Sequence, residues 1–425
     1  MDCVTLYMRF TVFAVFLLFS LAARTQVNAA NSPVHHDTTD VNDILHKWLG
    51  KKNGTPKKNS GIALLPAIGY NPSVGFIIGA NISAGKNLGD PADTRMSTAT
   101  ATAFFTTKNV LNLQLRHNIF TKGDIYNMQG NIQFTKMVVL DYGMGPTAGK
   151  NGKEGFSINQ YATENSPVVN PIKYNEIRIN EKLYKKISPA ILVGAGVAFN
   201  YHYAVKDENL QPDSLKFTPH YQYSIEKGFN PDHYTTSGVL LNIQYTTRDH
   251  LNRAFKGMYA DITFRVNPTW LGSTKASTQM ITEFRKYFTL SSRNPEHVLA
   301  FWHLGTYKLS GDLPYLDLPA TAGDMYNRSG RAYTIGRFRG PSHFYLESEY
   351  RFPITRNKLI SGVVFTNIQT VSDGGKINLF NTLIPGTGAG LRLLFNKMTR
   401  TNICIDYAFG RYGSRGLFFG LNEVF

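Results

Sequence analysis

The sequence predicts a transmembrane antiparallel β-barrel of about sixteen strands, all-β beyond its first sixty residues, and three observations point there. From residue 61 onward period-two alternation dominates and helical periodicity is scarce. The alternating runs often reach 9 to 13 residues, whereas strands of soluble proteins average about five or six. Their polar faces carry Asn, Gln, Thr and paired charges, as a wet lumen requires, and aromatics recur near the strand ends as in interfacial girdles.

The first residues read as a leader. Arg9 precedes the apolar run FTVFAVFLLFSLAA, and Val27 to Ala29 supplies small residues for cleavage. A charged start, a short apolar core and a small-residue end make a secretory signal peptide over 1–29. A run of this length is shorter than the roughly 20 residues of a spanning helix. Residues 30–60 follow as a polar, Lys-rich periplasmic linker, in which VNDILHKWLG has the pattern of a short amphipathic helix.

The barrel is expected over 61–425. "VLNLQLRHNIF" puts Leu111, Leu113, Leu115 and Ile119 on one face, with Asn112, Gln114, Arg116 and Asn118 on the other. "GMYADITFRV" sets Asp261 and Arg265 opposite Ala260, Ile262, Phe264 and Val266. Strands are predicted at 61–70, 74–86, 96–107, 110–120, 125–136, 171–186, 188–203 and 236–247. Eight more follow at 256–268, 276–290, 297–309, 343–353, 359–371, 386–395, 401–409 and 416–425. The longest connections, near 137–170, 204–235 and 310–342, all follow odd-numbered strands, while TKGD, SRNPEH and TRNK follow even ones. Long outer loops, short periplasmic turns and an even strand number are what an outer-membrane barrel requires, so the expected location is the cell outer membrane. The last run, "GLFFGLNEVF", aligns Leu417, Phe419, Leu421 and Phe425 on one face as a final strand with an aromatic end.

Several function classes find no support. The chain carries a net charge of +16, yet Lys and Arg form no block with interleaved aromatics, so nucleic acid is not an expected partner. The eleven histidines are scattered, with no G-x-S-x-G elbow and no H-E-x-x-H helix, so no catalytic residues are assigned and the protein is not expected to be an enzyme. His35, His36 and Asp37 lie in the polar tail, where solvation is the simpler reading. Cys3 belongs to the leader and Cys404 is left alone, so there is no disulfide framework; no cofactor and no metal is expected.

The stretch IGRFRGPSHFYLESEYRFPIT, residues 335 to 355, carries the candidate site. Tyr345, Glu347, Glu349 and Arg351 share one face of the strand, opposite Phe344, Leu346, Tyr350 and Phe352. Glutamates facing a lumen need counter-charge. Arg337 and Arg339 lie just upstream, on a loop long enough to fold back inside, and Gly340 allows a tight turn.

These residues resemble a family. Phe338-Arg339-Gly340 before the strand LESEYRFPI is similar to the loop-six motif of BamA/TamA-type proteins, the bacterial surface antigen group. YTTRDHLNRAFKG (245–257), GYNPSVGFIIGA (69–80) and the ending with Gly388, Gly390, Arg392, Asp406 and Phe425 are similar to further family segments. The resemblance implies that Arg339 reaches Glu349, with Glu347 as a second acid where the family's acidic partner is replaced by Asn367. The sequence departs from the family in having no segment for POTRA domains before the barrel, so a form without them is expected; the resemblance implies a non-enzymatic role in inserting, assembling or translocating proteins or lipids. The route would be a lateral seam between the first and last strands, weakened by Gly61, Pro66, Gly69 and Gly416 near Phe425. Implied partners are outer-membrane lipid and lipopolysaccharide, client proteins and assembly subunits. A passive or plugged pore and an accessory subunit of an envelope complex are the alternatives.

Overall fold

The computed structural model describes residues 38–41, 43–44, 60–71, 74–148, 169–250, 253–325, 327–397, 400–421 and 423–425. The leader expected at 1–29, the tail residues His35, His36 and Asp37, and most of the linker lie outside them.

Sixteen antiparallel strands follow one another in a single sheet, each hydrogen-bonded to its sequence neighbour. They are β1 (Ser60–Asn71), β2 (Gly75–Lys86), β3 (Ser97–Thr106), β4 (Leu111–Phe120), β5 (Tyr126–Asp141) and β6 (Asn170–Lys186). Next come β7 (Ile191–Asp207), β8 (Tyr234–Thr246), β9 (Gly257–Asn267), β10 (Ser277–Thr289) and β11 (Val298–Gly311). The last five are β12 (Ser342–Pro353), β13 (Ile360–Val371), β14 (Ile384–Asn396), β15 (Thr401–Gly410) and β16 (Arg415–Leu421). The sheet curls into a nearly closed barrel: a Cβ placed on Gly69 of β1 would stand 3.9 Å from the Phe419 carbonyl oxygen of β16. Among the described residues no ladder joins β1 to β16. None of their helices is long and apolar enough to cross a membrane, so crossing falls to the strands.

The alternation in the sequence becomes two chemically distinct surfaces. Leu113, Leu115, Met128, Ile132, Leu241, Ile243 and Phe264 are exposed on the outside. Asn112, Asn131, Thr135, Asn242, Asp261 and Arg265 are buried on the inside. On the wall formed by β4 and β5 the lumen is lined by amides that satisfy one another across strands. Gln114 Nε2 donates to Asn131 Oδ1 at 2.7 Å, and Gln133 Nε2 to Asn112 Oδ1 at 2.6 Å.

The ends of the strands depart most from the sequence expectation in β5, β7 and β16, with β7 shifted to Ile191–Asp207 from the expected 188–203. β5 runs on to Asp141, because Met137 to Leu140 pairs with the start of β6 although that apolar run lacks alternation. β16 stops at Leu421 instead of continuing to residue 425. Beyond it Glu423 and Phe425 turn inward and are buried, so Phe425 does not share the outer face of a final strand. The attraction that draws them in is the charge network described below.

One end of the barrel carries the long connections. The loop after β7 contains the helix α1 (Pro219–Glu226), entered through Thr218, whose hydroxyl oxygen accepts the Tyr221 N–H. Tyr223 of α1 packs with Leu313, Tyr315 and Leu318 of the loop after β11, over Ile172 and Val205 of the wall. The opposite end carries the short turns, and there a helical turn begins at Val41. Asp40 and Asp43 cap it reciprocally, and the Asp43 carboxylate pairs with Lys397 Nζ at 2.7 Å in the turn after β14.

A cation on the outer face has no compensating solvent. Leu241→Arg, placed mid-strand on β8, is expected to destabilise the barrel by about 2–4 kcal/mol if that height is the bilayer midplane. Reversible unfolding in phospholipid vesicles measures it, and a change near zero would contradict the outward assignment.

Candidate functional site

The loop between β11 and β12, residues 312–341, folds into the lumen and is fastened to opposite walls. Near its start, the Tyr315 hydroxyl donates to Asp141 Oδ1 of β5 at 2.7 Å. Asp317 accepts from Asn200 Nδ2 of β7 at 2.8 Å and from the Thr236 hydroxyl of β8 at 2.7 Å. Burial would raise the Asp317 pKa, but the charges of His202 and Arg265 and these hydrogen bonds outweigh it and hold the carboxyl below its ordinary value.

Further along, Arg331 reaches the far wall. Its guanidinium is forked on Glu347 of β12, with Nη2 also donating to Glu349 Oε2 at 2.5 Å and Nη1 to Asp406 Oδ2 of β15 at 3.0 Å. The same group lies 3.5 Å from the centroid of the Phe365 ring. Asn367 of β13 donates to the Arg331 carbonyl at 3.0 Å and to Glu347 at 3.4 Å. The next residue, Ala332, has φ +93°, a left-handed conformation that a side chain disfavours. Its carbonyl is held by the Ser414 hydroxyl and its neighbour Tyr333 donates to the Pro385 carbonyl. The strain sits beside an arginine shared by three carboxylates.

The network continues through the wall to the end of the chain. Arg351 Nε donates to Glu349 at 2.6 Å, and Arg392 Nε donates to Glu423 Oε2 at 2.8 Å while its Nη1 donates to Asp406 at 2.5 Å. Asn402 Nδ2 reaches Glu423 Oε1 at 2.6 Å, and Arg253 Nε stands 3.5 Å from the same oxygen. Glu347, Glu349, Asp406, Glu423 and Glu296 thus face Arg331, Arg351, Arg392, Arg253 and, at the margin, Lys358, five charges against five. Burial works against the Glu423 carboxylate, but Arg392, Arg351 and Arg253 together hold its pKa well below the ordinary range. Arg328 Nη1 of the loop donates to the Glu423 carbonyl at 2.6 Å, and Phe425 stacks on Trp302 with ring centroids 5.3 Å apart.

The expected pair of Arg339 with Glu349 is not formed. Arg339 Nη1 donates to the Tyr315 carbonyl at 2.9 Å, and its backbone bridges to Met144 and Ala320 near the loop end. Arg339 therefore holds two loops together, while Arg331, eight residues earlier, takes the acids. Phe338 is buried against Tyr333 and Tyr412. Gly340 serves close approach rather than a turn: a Cβ there would clash with the Ser372 carbonyl oxygen, and the turn glycine is Gly336 at φ +75°. Arg331 carries a signal in the sequence, an arginine between Gly330 and a small residue before Tyr333, but RFRG downstream has the more conspicuous glycine.

Of the residues expected at the seam, Gly61 and Pro66 lie on β1 opposite Gly85 and Ala80, and their side-chain surroundings lie outside the described residues. Gly69 is where β1 approaches β16, and Gly416 pairs with Ala408. At the turn end, residues 247–250 and 253–256 lie beside the network, to which Arg253 belongs. Asp249 Oδ1 accepts the Phe255 and Lys256 N–H groups, and Arg400 Nη1 donates to its other oxygen at 3.0 Å. His250 Nδ1 accepts the Arg253 N–H at 3.2 Å. Burial, helped by Arg400, lowers the His250 pKa to about 4.

A nearly closed sixteen-strand barrel with a loop pinned inside by an arginine among wall carboxylates defines a class of transmembrane β-barrels. The chain belongs to the Omp85 superfamily, whose domain model matches residues 79–425. BamA from Haemophilus ducreyi lacking POTRA domains 1–3 superposes with a TM-score of 0.55 at 14% identity, covering 86% of this chain and 70% of that one. CdiB from Acinetobacter baumannii gives 0.51 at 14% identity, and CdiB from Escherichia coli 0.54 at 7%. This chain spans 60% and 63% of those two. At such identities the likeness is one of fold. No curated protein matches the sequence.

Two outcomes follow. Arg331→Ala strands Glu347 and Glu349 and is expected to cost about 3–5 kcal/mol of stability, whereas Arg339→Ala removes a hydrogen bond to a carbonyl and costs about 1.5–3 kcal/mol. Heat-modifiable gel mobility and denaturant titration of both variants give the order, and the reverse order would rule out this division of roles. For His250, a folded pKa below the ordinary 6.5 means the stabilisation is present above that pH and is lost as pH falls toward about 4. The gap in unfolding midpoint between wild type and His250→Gln should be constant above pH 6.5 and close through that window. A gap independent of pH would mean that His250 does not titrate with folding.

Proposed function

We propose that this protein is an outer-membrane component that inserts, assembles or translocates proteins or lipids without enzymatic chemistry, through a lateral seam between β1 and β16. The observation that carries the reading is the missing ladder at that seam among the described residues. β16 is the shortest strand, at 7 residues, and Pro66 gives β1 one N–H fewer to offer a partner. An unpaired strand edge is a template for another strand, so a client edge could pair where β1 and β16 do not. Membership of the Omp85 superfamily supports the same reading. Clients and assembly subunits would be its protein partners, and membrane lipid and lipopolysaccharide its surroundings.

The packed lumen favours a plugged barrel over an open pore, since the loop crosses it and binds both walls. Steady, large conductance from the wild-type protein in a planar bilayer would support the passive-pore alternative instead.

A disulfide tests the seam. A Cβ at Gly69 would lie 4.0 Å from the Phe419 Cβ, within the roughly 3.5–4.5 Å that a disulfide spans. The double variant Gly69→Cys, Phe419→Cys, made with Cys404→Ser, is expected to lose assembly of an unfolded barrel client in proteoliposomes when oxidised. Reductant should restore it. Full activity of the oxidised form would eliminate lateral opening.

A further inference from the structure

The outer face holds a polar site that neither the lumen nor the seam explains. His117 of β4 lies on the same face as Leu113 and Leu115, and Glu181 of β6 on the same face as Leu183, all three leucines being exposed. The two side chains meet across β5, with His117 Nε2 3.1 Å from Glu181 Oε2. They fold over Gly130, which lies opposite both residues in the ladders. A Cβ at Gly130 would clash with the imidazole nitrogen and with both carboxylate oxygens, so the glycine forms the floor of the notch. Glu181 is the one carboxylate among the described strand residues that stands within the outer apolar face, and 29% of its side chain is exposed.

A carboxylate has about four lone-pair sites, and one imidazole nitrogen does not fill them. In water the exposed edge would be hydrated; against hydrocarbon it needs a donor. On its β3–β4 side the notch borders a low wall, whereas β5 and β6 have 16 and 17 residues and rise further toward the loop end. β3 and β4 have 10 residues each, which at about 3.3 Å per residue and a tilt near 40° gives about 25 Å, less than the ~30 Å hydrocarbon core. A bilayer thins to match a short wall, drawing headgroups toward it. His117 is three residues from the end of β4, about 8 Å of height on the same geometry. Exposed Lys185 and Tyr126, paired at the turn end of β6 and β5, mark the interface below.

The geometry points to a membrane-facing binding site for a primary ammonium group, formed by Glu181 and His117 over Gly130 and filled by the headgroup of an ethanolamine phospholipid. The ammonium donates N–H bonds to the exposed edge of the Glu181 carboxylate. A choline headgroup has the same charge but no N–H, so the site discriminates between them by hydrogen bonding.

Native mass spectrometry of the full chain, released from vesicles containing equal phosphatidylethanolamine and phosphatidylcholine, tests this. Wild type is expected to retain ethanolamine lipid at least fivefold over choline lipid, and Glu181→Gln to retain them equally. Gly130→Ala keeps both the imidazole and the carboxylate but evicts them from the notch, and should also abolish the preference; it replaces Glu181→Gln if that variant does not fold. Equal retention by wild type, or a preference that survives in the folded variants, overturns the proposal. Equal retention is also the result a cationic protein partner at this site would give.

Discussion

The structure depends on one buried cation. Arg331 is carried into the lumen by a loop and is shared by three carboxylates on two strands, Glu347 and Glu349 of β12 and Asp406 of β15. None of these groups has access to bulk water, and each would be costly alone. The loop therefore cannot leave without exposing acids to one another, and the wall cannot form its charged face without the loop. That mutual requirement is reinforced by backbone strain at Ala332, which persists because its surroundings over-determine it.

From this pair the constraint spreads in both directions. Toward the loop end, Tyr315 and Asp317 tie the same loop to β5, β7 and β8. Toward the turn end, Asp406 hands the network through Arg392 to Glu423, and Glu423 to Arg253 beneath the barrel. A loop anchored on one side, a wall on the other and a turn below are thus connected through charge-assisted hydrogen bonds, which are stronger and more directional than neutral ones. The amide-lined wall of β4 and β5 has no such reach, because its bonds close between neighbouring strands.

Much of the barrel was legible in the sequence because lipid on one side and a polar lumen on the other impose period two over long strands. Strand number, strand order and the end carrying the long loops all follow from that constraint. What was not legible depends on contacts distant along the chain. The fold of a 30-residue loop decides whether Arg331 or Arg339 meets Glu349, and alternation says nothing about it. Glu347, Glu349 and Asn367 were accessible because they lie on the adjacent strands β12 and β13; their arginine was not. The stop of β16 was hidden for the same reason: LNEVF alternates well enough for a strand, but Glu423 faces three guanidinium groups that only the folded lumen assembles. Glu181 carries no signal in the sequence, because a single charge on an apolar face acquires meaning only when the ladders place His117 and Gly130 beside it.

The location of the charges bears on how a barrel can remain stable with an unpaired edge. The carboxylate network clamps β12, β14 and β15 to the loop and to the turn before β9, and among the described residues it contains no side chain from β1 and none from within β16. Stability is thereby concentrated in β12, β14 and β15. The last strand is attached to this body by its ladder to β15 and by Glu423 and Phe425, held from inside by Arg392, Arg351 and Trp302. Under the proposed lateral opening, the seam would separate from the β1 side without breaking any of these buried ion pairs. The same arrangement explains why the segment after β16 points inward: extended, it would lengthen the ladder and stiffen the edge, whereas folded it leaves the edge short and fastens its root.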